Sequence, residues 1–476
     1  MSRKIVILGA GPGGYVAAVR AAQLGAEVTI IEADNVGGTC LNWGCIPSKV
    51  MITTANLLES FRRAGEYGVQ VNGDARLDIA ALMARKRAVV QAQAKGILGL
   101  LRHHRVHYIN GFGCLKGPGL AVVRTEGGEE EIPWDRFILA TGTQPFELPS
   151  LPFDGERILS SNHALSLKSV PETILIVGGG VIGCEFAFLL SALGAEVIVV
   201  EALPRLLPLP SVDESCSKVL QREMKKRKIG FFTNRTAGAF DEDGHRLRVT
   251  LGPSPFLKNP SGREKEPLTV AVDQVLVCIG RKANTDGIGL ASIGIRTDDK
   301  GWIPVDERME TEAAGVYAIG DVLGPSKVML AHVASAEGMV AAENAMGGRR
   351  SMDYTVVPGA IFTSPEVANV GQSESQARRK GRNVRADSVL FRNLGKAQVV
   401  GEIAGEAKIV SDAGTGEILG VHIVGPHATD LIAETALAMR MGASVRDIAD
   451  TIHAHPTLAE INMECAFKAM DRALHG

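Results

Sequence analysis

The chain opens with a short apolar run, a glycine-rich turn and an alanine-rich segment. Residues 4–8 (KIVIL) are followed by Gly-Ala-Gly-Pro-Gly-Gly at positions 9–14, and the alanine-rich segment continues to about residue 25. A second apolar run, at residues 27–31, ends in Glu32. A strand, a GxGxxG turn, a helix and a second strand ending in an acid are the signature of a dinucleotide-binding βαβ unit. The pattern therefore predicts a dinucleotide site in the first 32 residues.

The same pattern recurs later in the chain. An apolar run at residues 174–177 precedes glycines at positions 178, 180 and 183, and a second run at about 197 ends in Glu201. Positions 9, 24 and 32 have counterparts at 178, 193 and 201, which is a constant offset of 169 residues. Repetition of a whole structural unit indicates two domains of the same fold. The sequence thus predicts two Rossmann-type domains, each with a dinucleotide site.

The remaining segments complete the predicted architecture. Residues 50–105 are helix-rich, and a further apolar strand at 315–321 precedes an alanine-rich helix. From about 351, apolar segments separated by turns predict an antiparallel sheet, followed by helices near 428–441 and 457–473. The predicted fold class is α/β, with two Rossmann-type dinucleotide-binding domains and a C-terminal α+β domain. The predicted boundaries are 1–148, 149–281, 282–350 and 351–476.

Composition and charge exclude several classes of partner. The 476 residues include 51 Lys and Arg against 53 Asp and Glu, for a net charge of −2, so neither nucleic acid nor an anionic membrane is expected to bind. No apolar run is long enough to span a membrane, and the first one stops at Gly9, too early for a signal peptide. Seven scattered cysteines are typical of a reducing compartment, so the predicted location is cytoplasmic.

Two of these cysteines lie in a stretch of small residues. Cys40 and Cys45 are five positions apart within residues 37–49 (GGTCLNWGCIPSK). The spacing fits a small disulfide ring at the start of a helix, where unpaired backbone N–H groups lower the pKa of a thiol. Two other interpretations stay open at this point, namely a pair of buried structural cysteines and half of a zinc site. Zinc requires two further Cys or His ligands, and none lies nearby, so no metal site is predicted.

With these motifs the chain resembles the class I pyridine nucleotide-disulfide oxidoreductases, and within them the dihydrolipoamide dehydrogenases. The resemblance covers essentially the whole chain and rests on residues 37–49, the two fingerprints, Gly320-Asp321 and the HPTxxE motif at 455–460. It implies an FAD-binding domain with the redox disulfide (1–148), an NAD-binding domain (149–281), a segment that returns to the FAD domain (282–350) and a dimerisation domain (351–476).

The resemblance also implies which residues bind the cofactors. Those for FAD are Gly9, Gly11, Pro12, Gly13, Gly14, Glu32, Ala33, Gly38, Thr39, Lys49, Gly113, Thr141, Gly142, Asp321 and Ala331. Those for NAD are Gly178, Gly180, Val181, Ile182, Gly183, Glu185, Glu201 and Gly280.

The resemblance implies catalytic roles for four residues. Cys45 would lie against the flavin, while Cys40 exchanges with the substrate disulfide or dithiol. His455 would be the acid/base, oriented by Glu460, because imidazole titrates in the range that thiol–disulfide exchange needs. In this family the histidine serves the partner subunit's site, which implies an obligate homodimer. Two further expectations are that Lys49 pairs with Glu185, and that the neighbouring His453 is a packing or supporting residue.

The predicted function is oxidation of protein-bound dihydrolipoamide to lipoamide through a Cys40–Cys45 disulfide and FAD, with NAD⁺ as the final acceptor. The implied partner is a lipoyl-bearing protein, either of a 2-oxo acid dehydrogenase complex or the H-protein of glycine cleavage.

The alternative is an NAD(P)H-dependent reductase of another disulfide or of a metal ion, like glutathione reductase or mercuric reductase. Against it stand the lack of a second C-terminal cysteine pair, Val181 in place of a gating tyrosine, and Glu201, which favours an unphosphorylated ribose. Trp43 differs from the residue that many relatives have at this position, so the sequence does not define the substrate channel. A non-catalytic flavin-bearing redox sensor is a third hypothesis.

Overall fold

The computed structural model describes residues 2–258 and 262–475. In this part of the chain the α-helices are α1 (Pro12–Gln23), α2 (Gly38–Asn42), α3 (Cys45–Arg62), α4 (Ile79–His103), α5 (Ser161–Ala164), α6 (Val181–Leu193), α7 (Glu214–Lys226), α8 (Gly262–Lys265), α9 (Ala331–Ala345), α10 (Glu374–Arg379), α11 (Gly395–Val399), α12 (Ala428–Arg440), α13 (Val445–Asp450) and α14 (Glu460–Lys468).

The β-strands are β1 (Lys4–Leu8), β2 (Glu27–Glu32), β3 (His107–Asn110), β4 (Phe112–Gly117), β5 (Leu120–Thr125), β6 (Gly128–Pro133), β7 (Arg136–Leu139), β8 (Thr143–Pro145), β9 (Ile158–Ser160), β10 (Thr173–Val177), β11 (Glu196–Val200), β12 (Gly230–Phe232), β13 (Arg235–Asp243), β14 (Arg246–Pro253), β15 (Leu268–Val272), β16 (Gln274–Val277), β17 (Arg281–Ala283), β18 (Val316–Ala318), β19 (Gly359–Ile361), β20 (Glu366–Gly371), β21 (Val384–Leu390), β22 (Glu406–Asp412) and β23 (Ile418–Gly425).

The chain divides into two compact units, each made of three segments. The first unit contains Met1–Thr53, Asp78–Phe146 and Gly280–Tyr354, and the second contains Thr54–Leu77, Glu147–Ile279 and Thr355–Gly476. The domain boundaries given above stay predictions.

The first unit is built on a five-stranded parallel sheet in the order β18-β7-β1-β2-β3. Strand β1 lies in its centre because Ile5, Val6 and Ile7 are almost completely buried and pair with β2 on one side and β7 on the other. The chain runs from β1 to β2 in one direction and later returns to β7 in the other. The crevice at the carboxyl ends of β1 and β7 is therefore the switch point where such sheets bind ligands. Strand β18, the apolar run predicted near 315–321, completes this sheet beside β7.

The second unit repeats the parallel sheet and adds antiparallel ones. Its parallel sheet has the order β12-β11-β10-β16-β9, with β10 at the switch point. The antiparallel sheet expected after residue 351 is present as β19-β20-β23-β22-β21, and every residue of β23 is buried. The helix expected near 428–441 is α12. The helix expected over 457–473 is shorter, from Glu460 to Lys468, because residues 451–459 form a loop. The sequence did not predict the short helix α13 that precedes this loop.

No helix in the described part of the chain combines the length and the apolar composition needed to cross a membrane.

Candidate active site

The first fingerprint turn exposes the amino end of α1. A Cβ atom on Gly14 would lie 1.9 Å from the carbonyl oxygen of Gly9, so the helix packs on the turn only because that position lacks a side chain. A Cβ atom on Gly11 would instead meet nothing closer than 3.9 Å. Gly11 is the N-cap of α1, with no side-chain cap and no acid in the first turn. The turn therefore presents backbone donors and a positive helix end to an anionic group such as a diphosphate.

Glu32 closes the same turn with its carboxylate. Its Oε2 accepts a hydrogen bond from the N–H of Ala10 at 2.6 Å, and its Oε1 accepts one from the N–H of Asp34 at 2.9 Å. Burial raises the pKa of Glu32, and these two backbone hydrogen bonds oppose that rise. The carboxylate thus lies at the end of β2 beside the glycine turn, as an acid that binds ribose hydroxyls must.

Other features of the first unit also fit a dinucleotide such as FAD. The buried hydroxyl of Thr141, just past β7, finds no hydrogen-bond partner among the described residues. Gly142 has φ +64° and open space around the position of a Cβ atom. Helix α9 begins at Ala331 with no side-chain cap and no acid in its first turn. An unsatisfied donor, an open glycine and a second uncapped helix end all meet near the switch point of this sheet.

The remaining residues predicted for FAD have mixed surroundings. A Cβ atom on Gly38 would lie 2.7 Å from the Cα of Gly11, so residue 38 abuts the fingerprint turn. A Cβ atom on Gly13 would meet the carbonyl of Ala334 in α9 at 3.0 Å, which gives that glycine a packing role. Gly113 likewise leaves room for Leu8, which would lie 2.6 Å from a Cβ atom. Their FAD contacts, like those of Pro12, Ala33, Thr39 and Lys49, stay predictions.

Asp321 belongs to a polar cluster that the sequence did not reveal. The Thr143 hydroxyl donates to Oδ2 of Asp321 at 3.2 Å and accepts from Nε of Arg281 at 2.6 Å. The same guanidinium lies 4.0 Å from the carboxylate. Burial raises the pKa of Asp321, against the opposing effect of Arg281, and burial lowers the pKa of Arg281. Arg281 directly follows Gly280, which was predicted for NAD. Its position just after a buried strand was the one feature of the sequence that could have indicated a role for Arg281 in the site.

Cys40 and Cys45 lie in two consecutive helices. Cys40 is half-buried in α2, and Cys45 is exposed as the first residue of α3. Both are thiols in this structure, and their side chains are hydrogen-bonded. The hydrogen bond to Cys45 and then burial raise the pKa of Cys40, while the positive charge of Lys49 opposes the rise. Arg281 also interacts with Cys45. Two cations therefore accompany the pair, and each favours a thiolate.

A cavity of about 460 Å³ lies between α1 and α4 in the same unit. Both α1 and α2, the helix of Cys40, pack against α4. Tyr15 of α1 lines the cavity, and its pKa is raised by burial and by the neighbouring Cys40. The lining from α4 is largely apolar and consists of Val89, Ala92, Gln93, Gly96, Ile97 and Leu100. Neither Tyr15 nor α4 was assigned to the site from the sequence.

The second fingerprint has the same construction as the first. A Cβ atom on Gly183 would lie 1.8 Å from the carbonyl oxygen of Gly178, whereas one on Gly180 would have nothing within 4 Å. Glu201 accepts hydrogen bonds from the N–H of Gly179 at 2.6 Å and of Leu203 at 2.8 Å. These distances match those of Glu32, so the repeat seen in the sequence extends to the hydrogen bonds of the acid. The turn and helix α6, which begins with Val181 and Ile182, fit a second dinucleotide.

The side chain of Arg205, four residues past Glu201, is hydrogen-bonded to its own loop. Its guanidinium donates to the carbonyl oxygens of Leu207, Leu209 and Val212 at 2.7 to 2.9 Å, and to the hydroxyl of Ser217 at 2.6 Å. Burial lowers the pKa of Arg205. This side chain organises the loop after β11.

Two residues predicted for NAD, Glu185 and Gly280, differ from the rest in their contacts or in the unit to which they belong. Glu185 of α6 is buried, and its Oε1 accepts a hydrogen bond from the N–H of Phe362 at 2.9 Å. Gly280 has φ +149° and lies in the first unit, whereas the other residues predicted for NAD lie in the second. The pairing of Lys49 with Glu185 joins residues of different units and stays a prediction.

His455 and Glu460 form a hydrogen-bonded pair in the second unit. The Nδ1 atom of His455 lies 2.8 Å from Oε1 of Glu460, and Oε2 accepts from the N–H of Thr457 at 2.8 Å. Burial raises the pKa of Glu460, but the hydrogen bonds from His455 and Thr457 outweigh it and hold that pKa below its usual value. The imidazole itself is 75% exposed. The pair thus presents Nε2, the ring nitrogen that can exchange a proton, on the surface of the unit.

His453 lies on the opposite side of the same loop and is nearly buried. Its side chain is 6% exposed, its Nε2 lies 2.8 Å from Oε1 of Glu434, and its Nδ1 lies 2.9 Å from the carbonyl oxygen of Thr451. It therefore supports the loop. No cluster of His, Cys, Asp or Glu with the geometry of a metal site occurs within residues 2–258 and 262–475.

Comparison with known proteins covers both units. A family model described as pyridine nucleotide-disulphide oxidoreductase matches residues 3–338, and the dimerisation domain of that family matches residues 357–466. The chain belongs to the pyridine nucleotide-disulphide oxidoreductase family. As a member of this family it is an oxidoreductase that binds FAD and NAD(H). The predictions of the family, the α/β fold class and both cofactors are confirmed, and the dimerisation domain supports a homodimer.

Individual relatives are similar over their whole length. Dihydrolipoyl dehydrogenase of Chlamydia muridarum is 42% identical over 472 residues, or 99% of this chain and 97% of the relative. The enzyme of the same name from Bacillus subtilis is 40% identical over 483 residues, with 99% and 98% covered. The crystal structure of LpdA from Mycobacterium tuberculosis superimposes with a TM-score of 0.88 at 31% identity, over 98% of this chain and 99% of that one.

Proposed function

We propose that this family member is a dihydrolipoyl dehydrogenase that oxidises protein-bound dihydrolipoamide, with NAD⁺ as the final acceptor. The observation that carries the proposal is the proximity of Cys40 and Cys45 to each other and, through Tyr15, to the largely apolar cavity along α4. Full-length relatives named dihydrolipoyl dehydrogenase support the same activity. The substrate is the dithiol of a lipoyl group on a carrier protein.

The cavity suits the aliphatic part of that substrate. Its volume of about 460 Å³ lies within the usual range for small-molecule sites, and most of its lining is apolar. A lipoyl group attached to a carrier protein has a long hydrocarbon chain that gains free energy when it leaves water. The chain would lie along α4, and the two sulfur atoms would reach Cys40 beyond Tyr15.

The exchange chemistry follows from the two cysteines and His455. With Cys40 and Cys45 joined in a disulfide, a thiolate of the substrate attacks the sulfur of Cys40, and Cys45 leaves as a thiolate. The second substrate thiolate then attacks its own mixed-disulfide sulfur, which releases Cys40 and closes the lipoamide ring. Nε2 of His455, on the partner subunit, takes up the substrate protons in turn. Glu460 holds the ring so that Nε2 is the free nitrogen.

Cations stabilise the thiolate form of the reduced pair. Lys49 favours an ionised Cys40, and Arg281 interacts with Cys45. Bound FAD would supply a two-electron acceptor for the dithiol of Cys40 and Cys45 and a hydride donor for NAD⁺. The first fingerprint, with Glu32, Thr141, Asp321 and Ala331, would hold FAD, and the second fingerprint with Glu201 would hold NAD.

We also propose that the enzyme works in the cytoplasm. Cys184, Cys216 and Cys465 are buried, and burial raises the pKa of each thiol. Such cysteines are inert and suit a reducing compartment.

The test is turnover by the purified flavoprotein with a panel of substrates. Free dihydrolipoamide and a lipoylated carrier domain should both be oxidised with NAD⁺, and the carrier domain should have the lower KM. Glutathione disulfide and Hg(II) should be reduced at least about 100-fold more slowly than lipoamide with NADH. A faster reaction with either of these would support the alternative reductase instead. If the protein reduces NAD⁺ with none of the dithiols tested, only the redox-sensing hypothesis is left.

A further inference from the structure

Helix α4, which lines the cavity of the candidate site, has an unbalanced charge. Residues 79–125 contain no Asp or Glu, although the whole chain has 53 of them. The basic side chains of α4 are Arg85, Lys86, Arg87, Lys95 and Arg102. Because the net charge of the whole chain is −2, this helix is a local positive region and not a sample of a generally basic protein.

The positive charge of α4 is exposed and is not neutralised by the described residues. Arg85, Arg87 and Lys95 are exposed, and none of the three forms an ion pair with a carboxylate in the described part of the chain. Partial burial and then the charge of the adjacent Arg87 lower the pKa of Lys86. The exposed cations of this helix can therefore interact with an acidic group of another molecule.

The cavity opens on the exposed side of α4. Its lining residues Ala92, Gln93, Gly96 and Leu100 are exposed, so the cavity meets solvent along this helix. By the proposed function, a lipoyl chain lies in the cavity while the protein that carries it stays outside. That protein must therefore lie over the opening, against the surface of α4.

Two of the exposed cations flank this opening. Arg85 precedes the lining residue Val89 by four positions. Lys95 follows the lining residue Ala92 by three positions. Residues three or four positions apart lie on one face of a helix, so both cations lie beside the opening. Arg87 is about 200° around the helix from Arg85 and lies on the other side.

We propose that Arg85 and Lys95, the cations beside the cavity, dock the carrier protein through an acidic surface around its lipoyl group. The inference rests on the proposed function, which makes a lipoyl carrier the substrate. Opposite charges hold the carrier over the opening while its dithiol reaches Cys40, and they speed the encounter of the two proteins. Helix α4 contains no Phe, Tyr or Trp on which bases could stack, so an acidic protein fits this surface better than a nucleic acid.

The first test compares two synthetic substrates that differ only in charge. Both are peptides with a dihydrolipoyl-lysine, which is flanked by glutamates in the acidic peptide and by glutamines in the neutral peptide. At low ionic strength the wild-type holoenzyme should oxidise the acidic peptide with a kcat/KM about 5- to 10-fold higher. Salt at about 0.5 M should remove most of this preference, because it screens exposed charges. Equal kcat/KM values for the two peptides at low salt would overturn the inference.

The second test reverses the charges of the two residues. In the double variant Arg85→Glu, Lys95→Glu, the ratio of kcat/KM for the acidic peptide to that for free dihydrolipoamide should fall about tenfold or more. Arg87→Glu is the matched control, because it makes the same charge change at an exposed position of the same helix, away from the opening. It should change that ratio less than about threefold. A double variant with the wild-type ratio, or an equal effect of Arg87→Glu, would refute the role of Arg85 and Lys95.

Further measurements separate this inference from its premise and from other uses of the surface. If the wild-type enzyme fails to oxidise free dihydrolipoamide with NAD⁺, the proposed function fails, whereas fluorescence anisotropy with the oxidised lipoyl peptides still decides whether Arg85 and Lys95 bind the acidic one. A changed oligomeric state of the double variant on size-exclusion chromatography would make the surface a contact between subunits and overturn the inference. Tighter binding of a short RNA than of the acidic peptide at about 0.15 M salt would assign the surface to nucleic acid instead.

Discussion

Replacing Glu201 should weaken the discrimination between NADH and NADPH, and Coulomb's law gives the size of the effect. A carboxylate and a phosphate about 4 Å apart repel by about 4 kcal/mol at an effective dielectric constant of about 20. Each 1.4 kcal/mol corresponds to about a factor of ten, so the wild-type preference for NADH in kcat/KM should be on the order of 100- to 1,000-fold. Glu201→Gln removes the charge and should reduce that preference by at least about tenfold.

Arg205, four positions past Glu201, carries the opposite charge, but its surroundings oppose a role in binding a 2′-phosphate. Turning toward a 2′-phosphate would break four hydrogen bonds to the loop. Because the donor is charged, each is worth about 1.5–3 kcal/mol and their loss costs about 6–12 kcal/mol, which a single new contact with a charged group does not recover. Arg205→Ala should therefore lower the melting temperature and leave the coenzyme ratio unchanged.

The assay is kcat/KM for NADH and NADPH with lipoamide, measured for the wild type, Glu201→Gln, Arg205→Ala and Glu32→Gln. Glu32→Gln is the matched control, because its carboxylate makes the same two backbone hydrogen bonds in the other fingerprint. It should affect FAD retention and leave the coenzyme ratio unchanged. A wild-type preference below about tenfold, or one for NADPH, would refute the reasoning, and so would a ratio that Glu201→Gln leaves unaltered.

Three further predictions concern the dithiol site. Mixing Cys40→Ser and His455→Gln subunits under exchange should form heterodimers with roughly half of the wild-type activity, because one composite site of each heterodimer is intact; failure despite confirmed exchange would place the histidine in its own chain. With the flavin oxidised, Cys40→Ser should show a long-wavelength thiolate absorbance that Cys45→Ser lacks, and both should lose lipoamide turnover; the opposite spectra would exchange the two roles. Gly96→Leu should narrow the cavity and raise the KM for dihydrolipoamide by about tenfold. Gly99→Leu is the control, because Gly99 has equally open space but lies outside the cavity lining, so this change should stabilise the helix similarly without raising the KM. Equal KM values in the two variants would show that the substrate does not use the cavity.

The sequence predicted the features that repeat or that depend on local chemistry. The two fingerprints were recognisable because glycines at fixed positions, strand periodicity and a terminal acid all lie within about 30 residues. The family resemblance implied the pairing of His455 with Glu460, and only five positions separate these two residues. Each of these features depends on residues that lie close together in the sequence.

Features that depend on contacts between distant segments were missed. Arg281 and Thr143 lie 138 positions apart, and their shared contact with Asp321 exists only after β8 and β17 pair. The cavity beside Tyr15 needs α4 to pack against α1, which no local pattern specifies. The four hydrogen bonds of Arg205 within its own loop likewise join residues that no local pattern near Glu201 connects.

The double use of Glu32 and Glu201 limits how such an enzyme can change coenzyme by mutation. Each acid lies where a ribose would bind, yet each also accepts two backbone hydrogen bonds that shape its turn. A substitution that removes the side-chain acceptor at position 201 to make room for a 2′-phosphate leaves the N–H groups of Gly179 and Leu203 without a partner. Each N–H group that stays buried then lowers the free energy of unfolding by about 1–3 kcal/mol. Single-step routes to NADPH therefore pass through less stable proteins, and laboratory evolution toward NADPH should first accumulate compensating changes in the loop after β11.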